Sequence, residues 1–329
     1  MPDIGGAPSM AEVWDYQRTV EGFDFELAHI TQPMPIPLGI RSLDMALGGG
    51  IPVGTFTVVG GEGGTGKSAL ACMAAYVAAR AGRFPVFFSM EMPTQMVVNR
   101  MLSIHSTVRV SRGEWPHDRL VWWSSTGSEV SKRMGGAGPR ADMLRLGETE
   151  RYMAAQRYMS EHGDDDVVLA CWNDFKATIW PRIVVRDSVR TISEAISVVD
   201  AMCESGLQPF PIIDYLQLGA DGDGKEYENI TNASHALALC CKRHMLAMLV
   251  LSSLRNINKQ ERGDDPQQSW FRGSGQIGYD AGTAIVLMRA DEEQEQGGRR
   301  VTAHIVKNRV GRAGDSVTLR FNGARNLIE

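Results

Sequence analysis

Gly61, Gly66, Lys67 and Ser68 stand at G-x-x-x-x-G-K-S spacing in the stretch VVGGEGGTGKSALACMAAYVAARAG, from Val58 to Gly82. Such spacing suits a phosphate chain. Glycines let successive backbone N–H groups turn inward toward an anion, and a helix beginning near Lys67 adds its positive end. The residues engaged are Gly61, Gly63, Gly64, Thr65, Gly66, Lys67, Ser68 and Ala69. Lys67 reaches for the β and γ phosphates of a nucleoside triphosphate, and the Ser68 hydroxyl is a ligand for Mg2+. A β-branched strand before the loop and an alanine-rich helix after it supply the context this pattern requires.

Phosphate binding alone hydrolyses nothing, so carboxylates and further cations are needed. The strand ending FFSMEMP is expected beside the phosphate-loop strand, which puts Glu91 at its carboxyl end. There a carboxylate can orient and deprotonate the attacking water, or it can cap the following helix; spacing alone does not choose. The apolar run FPIIDYLQL ends at Asp214, a second carboxylate suited to Mg2+. Arg272, Gly273 and Gly275 in SWFRGSGQ could hold a nucleic-acid phosphate with a guanidinium and backbone amides, or form an ordinary loop. Lys307 and Arg309 alternate on a strand and so share one face, as a phosphate-binding pair or a solvated one.

The elements that must position these groups alternate. Strand 55–59, the phosphate loop, a helix to about 80, strand 85–90 and the helix TQMVVNRMLSIH give β-α-β-α order. Farther on come strand RIVVRD, a helix whose Thr191 and Glu194 have capping-box spacing, strand FPIIDYL, a helix over about 228–244, and the strands MLAMLVLSS and GTAIVLMR. A final pair, VTAHIVKNR and DSVTLRF, is joined by VGRAG. The pattern predicts an α/β fold with a mainly parallel sheet and an antiparallel C-terminal edge. Residues 1–36 read as a tail and a linker helix, and 37–329 as the nucleotide-binding domain. An insertion at about 108–180 holds five of the seven tryptophans (Trp115, Trp122, Trp123, Trp172, Trp180). Beside Arg112, Arg119 and Lys132 these rings could stack on single-stranded bases, although a small satellite core accounts for them more simply. The Asp164–Asp166 triplet reads as a solvated loop.

Composition narrows the classes. With 329 residues, 43% hydrophobic and net charge −5, the chain can bury a large core and is not a uniformly basic nucleic-acid binder. Five cysteines without C-x-x-C spacing read as reduced core thiols, and no metal-ligand spacing stands out. Neither a signal peptide nor a membrane-spanning run is visible, so the expected setting is the cytoplasm.

The phosphate loop, FSMEMP, IDYLQL, LSSL, FRGSGQIGYDAG and IVKNRVG occur in the order and rough spacing of the C-terminal ATPase domain of DnaB-like replicative helicases. The sequence resembles that family over about 37–322, apart from most of the insertion. The resemblance implies a RecA-like fold and a ring, most often a hexamer, that moves on single-stranded DNA. It implies that Lys67, Ser68 and Asp214 handle ATP and Mg2+ and that Glu91 is the catalytic base. By the same resemblance Arg272, Gly273 and Gly275 form a DNA-gripping loop, and Lys307 and Arg309 reach a neighbour's γ-phosphate. Two departures stand out. Ser253 occupies the position where the family usually has a glutamine, and its hydroxyl is too short for the same reach, so coupling would fall to another residue such as Gln276. The reading also expects the family's N-terminal helical domain, with its primase contacts, to be absent. The rival readings are a RecA-like recombination or annealing ATPase and a regulatory ATP-binding protein that unwinds nothing.

Overall fold

The computed structural model describes residues 34–111 and 166–329, except 221, 223, 256–265, 274, 294–297 and 324–325. The expected linker helix and Trp115, Trp122 and Trp123 lie outside the described residues, as do Arg112, Arg119 and Lys132. Residues Pro35–Glu329 form one compact unit. Its elements, in chain order, begin with helix α1 (Arg41–Ala46), strand β1 (Thr55–Gly61), helix α2 (Lys67–Arg80), strand β2 (Phe84–Ser89) and helix α3 (Thr94–Ser111). Next come helix α4 (Asp166–Thr178), strand β3 (Val184–Arg186), helix α5 (Ile192–Glu204), strand β4 (Pro209–Asp214), the short helix α6 (Leu216–Gly219), helix α7 (Glu226–His244) and strand β5 (Ala247–Ser253). Helix α8 (Gln276–Asp280) and strands β6 (Thr283–Glu293), β7 (Gly298–Asn308), β8 (Ser316–Asn322) and β9 (Leu327–Ile328) complete the chain.

The nine strands among the described residues join one sheet in the order β3-β2-β4-β5-β1-β6-β7-β8-β9. Pairing is parallel from β3 to β6 and antiparallel from β6 onward. The expected architecture is therefore present, extended by the two-residue strand β9. One expectation is corrected: β2 does not lie beside β1. β4 and β5 stand between them, because a parallel crossover is long enough to skip positions and strand neighbours need not follow chain order.

The central parallel strands are buried on both faces, so they read as continuous apolar runs. On one face Val59, Phe87, Ile212 and Leu249 pack against Leu70 of α2, Met101 of α3 and Phe175 of α4. On the other, Phe56, Val58, Phe88 and Val250 pack against Val199 of α5 and Leu237 of α7. Alanines dominate α2, where they favour helix and let it lie close to the sheet. Thr191 and Glu194 make the predicted capping box at the start of α5. Trp172 and Trp180 flank Phe175, each with ring centroids 6.2 Å away, and pack on the main core. That packing accounts for these two insertion tryptophans. Asp166 begins α4, so the acidic triplet is not wholly a loop. The five cysteines are free thiols, four of them buried. Among the described residues, no helix is long and apolar enough to cross a membrane.

Candidate functional site

The parallel strands deliver their carboxyl ends to one edge of the sheet, the usual place for a ligand in such folds. At β1 that end is Gly61, level with Ser253 of β5 and Leu287 of β6. Five residues, Glu62 to Gly66, then turn the chain into α2. Gly64 (φ 74°) and Gly66 (φ 97°) take left-handed backbone that residues with a Cβ rarely adopt. A Cβ on Gly66 would lie 3.3 Å from the Phe321 ring, so β8 covers the loop closely. Thr65 Oγ1 donates to the Glu62 carbonyl at 2.9 Å and closes the turn. Lys67 Nζ folds back over the loop and donates to the carbonyls of Gly61 (2.6 Å) and Glu62 (3.0 Å). Burial lowers the Lys67 ammonium below its usual range, opposed by Asp214, Glu91 and Glu62.

Asp214 ends β4, and its neighbour across the β2 ladder is Ser89. Glu91 follows two residues after Ser89, so the strand register brings both carboxylates to one place although β2 is remote from β1. The Met90 N–H donates to the Asp214 carbonyl (2.8 Å). Ser89 Oγ donates to the Met92 carbonyl at 2.6 Å and accepts from its N–H at 3.2 Å, so both neighbours of Glu91 are tied down. Glu91 itself is exposed at the site. The helix-capping alternative goes to another residue: Asp187 accepts from the Thr94 N–H at 2.8 Å at the start of α3.

Asp214 is 1% exposed, and burial pushes its carboxyl up to about 6. A hydrogen bond from Ser68 and the charges of Lys67 and Arg100 oppose that rise, whereas Glu91 adds to it. Among the described residues, Asp214 Oδ2 has no hydrogen-bond partner. A buried, unpartnered carboxylate oxygen beside a serine hydroxyl fits a hard divalent cation such as Mg2+. Ser68 and Asp214 are the residues that could hold it.

The β5 end carries a device that sequence reasoning missed. Gln217, inside IDYLQL, donates through Nε2 to Ser252 Oγ (2.7 Å) and to the Arg272 carbonyl (2.9 Å). Its Oε1 accepts from the Ser253 N–H at 3.1 Å. The side chain thus clasps the β5 end to the loop that holds Arg272. The suggested stand-in, Gln276, instead donates to Asp280 within its own helix. Arg272 is exposed and pairs with Glu226 at 3.2 Å, while Gly273 (φ 94°) and Gly275 lead into α8. Arg289, exposed on β6, was also missed: its guanidinium donates to the Gly63 carbonyl and puts a cation on the phosphate loop from within the chain.

Lys307 and Arg309 share a face, as alternation requires. Lys307 Nζ donates to the carbonyls of Gly278 (2.6 Å) and Tyr279 (2.8 Å), and Arg309 Nη2 donates to Tyr279 at 2.6 Å. The two cations therefore satisfy the C-terminal carbonyls of α8. Burial, then the Arg309 charge, lowers Lys307 to about 8. Neither residue is near the chain's own phosphate loop. Lys307 pairs with Ala284 and the Arg309 N–H bonds Gly282, whereas the loop leaves the sheet level with Leu287.

A phosphate loop on β1, an apolar strand ending in a buried aspartate, and an antiparallel extension after β6 define a P-loop domain of the RecA-like fold. The chain belongs to the DnaB-like helicase family through its C-terminal domain, whose family model matches residues 35–119 and 176–328. The fold is similar to a solved ATPase domain, with a TM-score of 0.69 at 18% identity over 98% of this chain and 99% of that one. It is also similar to a DnaB-like replicative helicase whose structure was determined for its interactions with primase, with a TM-score of 0.66 at 19% identity over 99% of this chain and 67% of that one. No curated protein sequence matches the chain.

Proposed function

We propose that the protein is an ATP-driven DNA helicase subunit that assembles into a homo-oligomeric ring, a hexamer, and moves along single-stranded DNA during replication in the cytoplasm. In this reading residues 37–329 are the motor domain and 1–36 the tail and linker. The loop amides and Lys67 hold the β and γ phosphates of ATP. Ser68 and Asp214 hold Mg2+, which when bound neutralises charge on those phosphates. Glu91 orients the attacking water and takes its proton as oxygen approaches the γ-phosphorus. Arg272 and the amides of Gly273 and Gly275 grip DNA phosphates without reading bases. Gln217 takes the coupling role that Ser253 is too short to fill. A primase or loader is a further partner for such a ring.

The observation that carries this reading is the distance from Lys307 and Arg309 to the chain's own phosphate loop. Along β6, Arg309 is level with Gly282 and Lys307 with Ala284, five and three residues from Leu287, or about 17 and about 10 Å at about 3.3 Å per residue. Neither side chain spans its gap, and both are turned onto the α8 carbonyls, so the pair is placed to serve a phosphate in another copy. The family membership supports the same arrangement. Mixing tests it. Lys67→Ala and Arg309→Ala chains are each inactive alone. Combined before assembly, they recover ATP hydrolysis that peaks near equal proportions, because some boundaries then join an intact Lys67 to an intact Arg309. If subunit exchange is demonstrated and no mixture exceeds its parents in single-turnover hydrolysis, the reading fails. Forked-duplex unwinding, set against strand exchange and simple ATP-dependent assembly, separates the helicase from its two rivals.

A further inference from the structure

Away from the phosphate-loop edge, α5 and α7 pack against each other over the second core face. Asp200 of α5 and the i, i+4 pair Cys240 and His244 of α7 converge there, with their ligand atoms all within 4.8 Å of one another. His244 Nε2 lies 2.6 Å from Asp200 Oδ1, and Arg243 Nη1 holds Asp200 Oδ2 at 3.3 Å. Cys240 is 1% exposed, whereas Asp200 and His244 are half-buried.

A simpler account treats Asp200, Arg243 and His244 as an ion-pair network that ties the two helices. That account leaves the Cys240 sulfur without a part. Burial raises the Cys240 thiol, and in the metal-free protein it is a neutral core side chain. It nevertheless shares a space of a few ångströms with a carboxylate oxygen and an imidazole nitrogen. One sulfur, one nitrogen and one oxygen donor form a set suited to a late, thiophilic divalent cation, whereas Mg2+ and Ca2+ prefer oxygen alone.

We propose that Asp200, Cys240 and His244 form a zinc-binding site with three protein ligands and an open fourth position. The geometry needs a small adjustment. Bonds of about 2.0–2.1 Å to nitrogen and oxygen at a tetrahedral angle separate those atoms by about 3.3 Å, so the Asp200–His244 contact must widen. Both side chains are half-buried rather than sealed in the core. Arg243 stays on Oδ2 and orients the carboxylate as an outer partner. α7 runs straight into β5, so the site lies at the amino ends of the parallel strands. The seven residues of β5 put it about 20 Å from the phosphate-loop edge, and its role is to pin α5 to α7 rather than to touch the nucleotide.

The probe is Co2+, titrated without nucleotide into the purified full-length chain. One equivalent is expected to bind, with the visible bands of a tetrahedral site and a near-ultraviolet sulfur-to-metal band. Zn2+ displaces it, and excess Mg2+ does not. Cys240→Ser removes the sulfur band. His244→Gln, at a half-buried position that does not threaten the core, weakens binding by more than about 100-fold, because even an outer partner contributes about 10- to 100-fold. His235→Ala, on the exposed side of α7, leaves the titration unchanged. Zn2+ raises the melting temperature of the wild-type and His235→Ala chains but not of the other two. A sulfur band that survives Cys240→Ser, substoichiometric Co2+, or equal Zn2+ stabilisation of wild type and His244→Gln overturns the site.

Discussion

Replacing Asp214 by asparagine is expected to stabilise the metal-free protein while abolishing its use of ATP. The carboxyl is pushed from an ordinary 3.8 up to about 6 by burial, so folding binds a proton there over the intervening range. Stability therefore falls as pH rises from about 4 to about 6, and the full cost remains above that window. At about 1.36 kcal/mol for each tenfold change in proton affinity, that rise makes the ionised side chain about 3 kcal/mol unfavourable at neutral pH. The figure already includes the attraction to Lys67 and the Ser68 hydrogen bond. Asparagine keeps the shape and has no charge to desolvate. Urea unfolding at pH 7.5 in EDTA should accordingly show Asp214→Asn more stable than wild type by up to about 3 kcal/mol, with the gap closing near pH 4. Mg2+ with ATP at about 1,000 times its Kd should reverse the order, since such a ligand adds about 4.1 kcal/mol to the chain that binds it. A mutant that is less stable at pH 7.5, or a gap that persists at pH 4, refutes the argument that this carboxylate is held against its own desolvation for the sake of a cation.

Glu91→Gln should bind ATP and assemble normally but hydrolyse about 100- to 10,000-fold more slowly, read by single-turnover assay; near-normal turnover removes Glu91 as the base. Arg272→Ala should weaken single-stranded DNA binding similarly for all sequences and make the slope of log affinity against log salt shallower by about 0.7, and an unaltered slope takes that loop off the DNA. Gln217→Ala should reduce DNA-stimulated hydrolysis more than DNA-free hydrolysis, because it unclasps the Arg272 loop from β5; equal losses mean that the clasp is only structural.

The phosphate loop was legible because its chemistry is local: glycines, lysine and serine act within a few residues of one another. Alternating strands and helices were legible for the same reason, and so was the Thr191–Glu194 cap. Strand order was not. Whether β2 lies next to β1 depends on how far each crossover reaches, and nothing in FFSMEMP records that. Glu91 nonetheless arrives at the site because the register pairs Ser89 with Asp214. Gln217 escaped notice because its partners, Ser252 and Arg272, lie far along the chain although the residue sits inside a recognisable motif. Arg289 looks like an ordinary strand end until folding brings Gly63 beneath it. The Asp200, Cys240 and His244 cluster is hidden in the same way, since two helices contribute it and neither carries ligand spacing that stands out alone.

Helix α8 is short, yet each of its ends is engaged by a different part of the candidate site. Its first turn continues directly from Gly275 and the Arg272 loop, for which a grip on DNA is proposed, and its last carbonyls are held by Lys307 and Arg309. In the proposed ring, those cations would have to let go of Gly278 and Tyr279 to reach an adjacent γ-phosphate. Nucleotide next door and the grip of α8 at home would then compete for the same two side chains. Each ATP bound by one subunit would loosen the footing of the DNA loop in the subunit that lends it the cations. Hydrolysis and phosphate release would return them. Release would thus travel around the ring in a single rotational sense, fixed by which face lends the cations and which receives them.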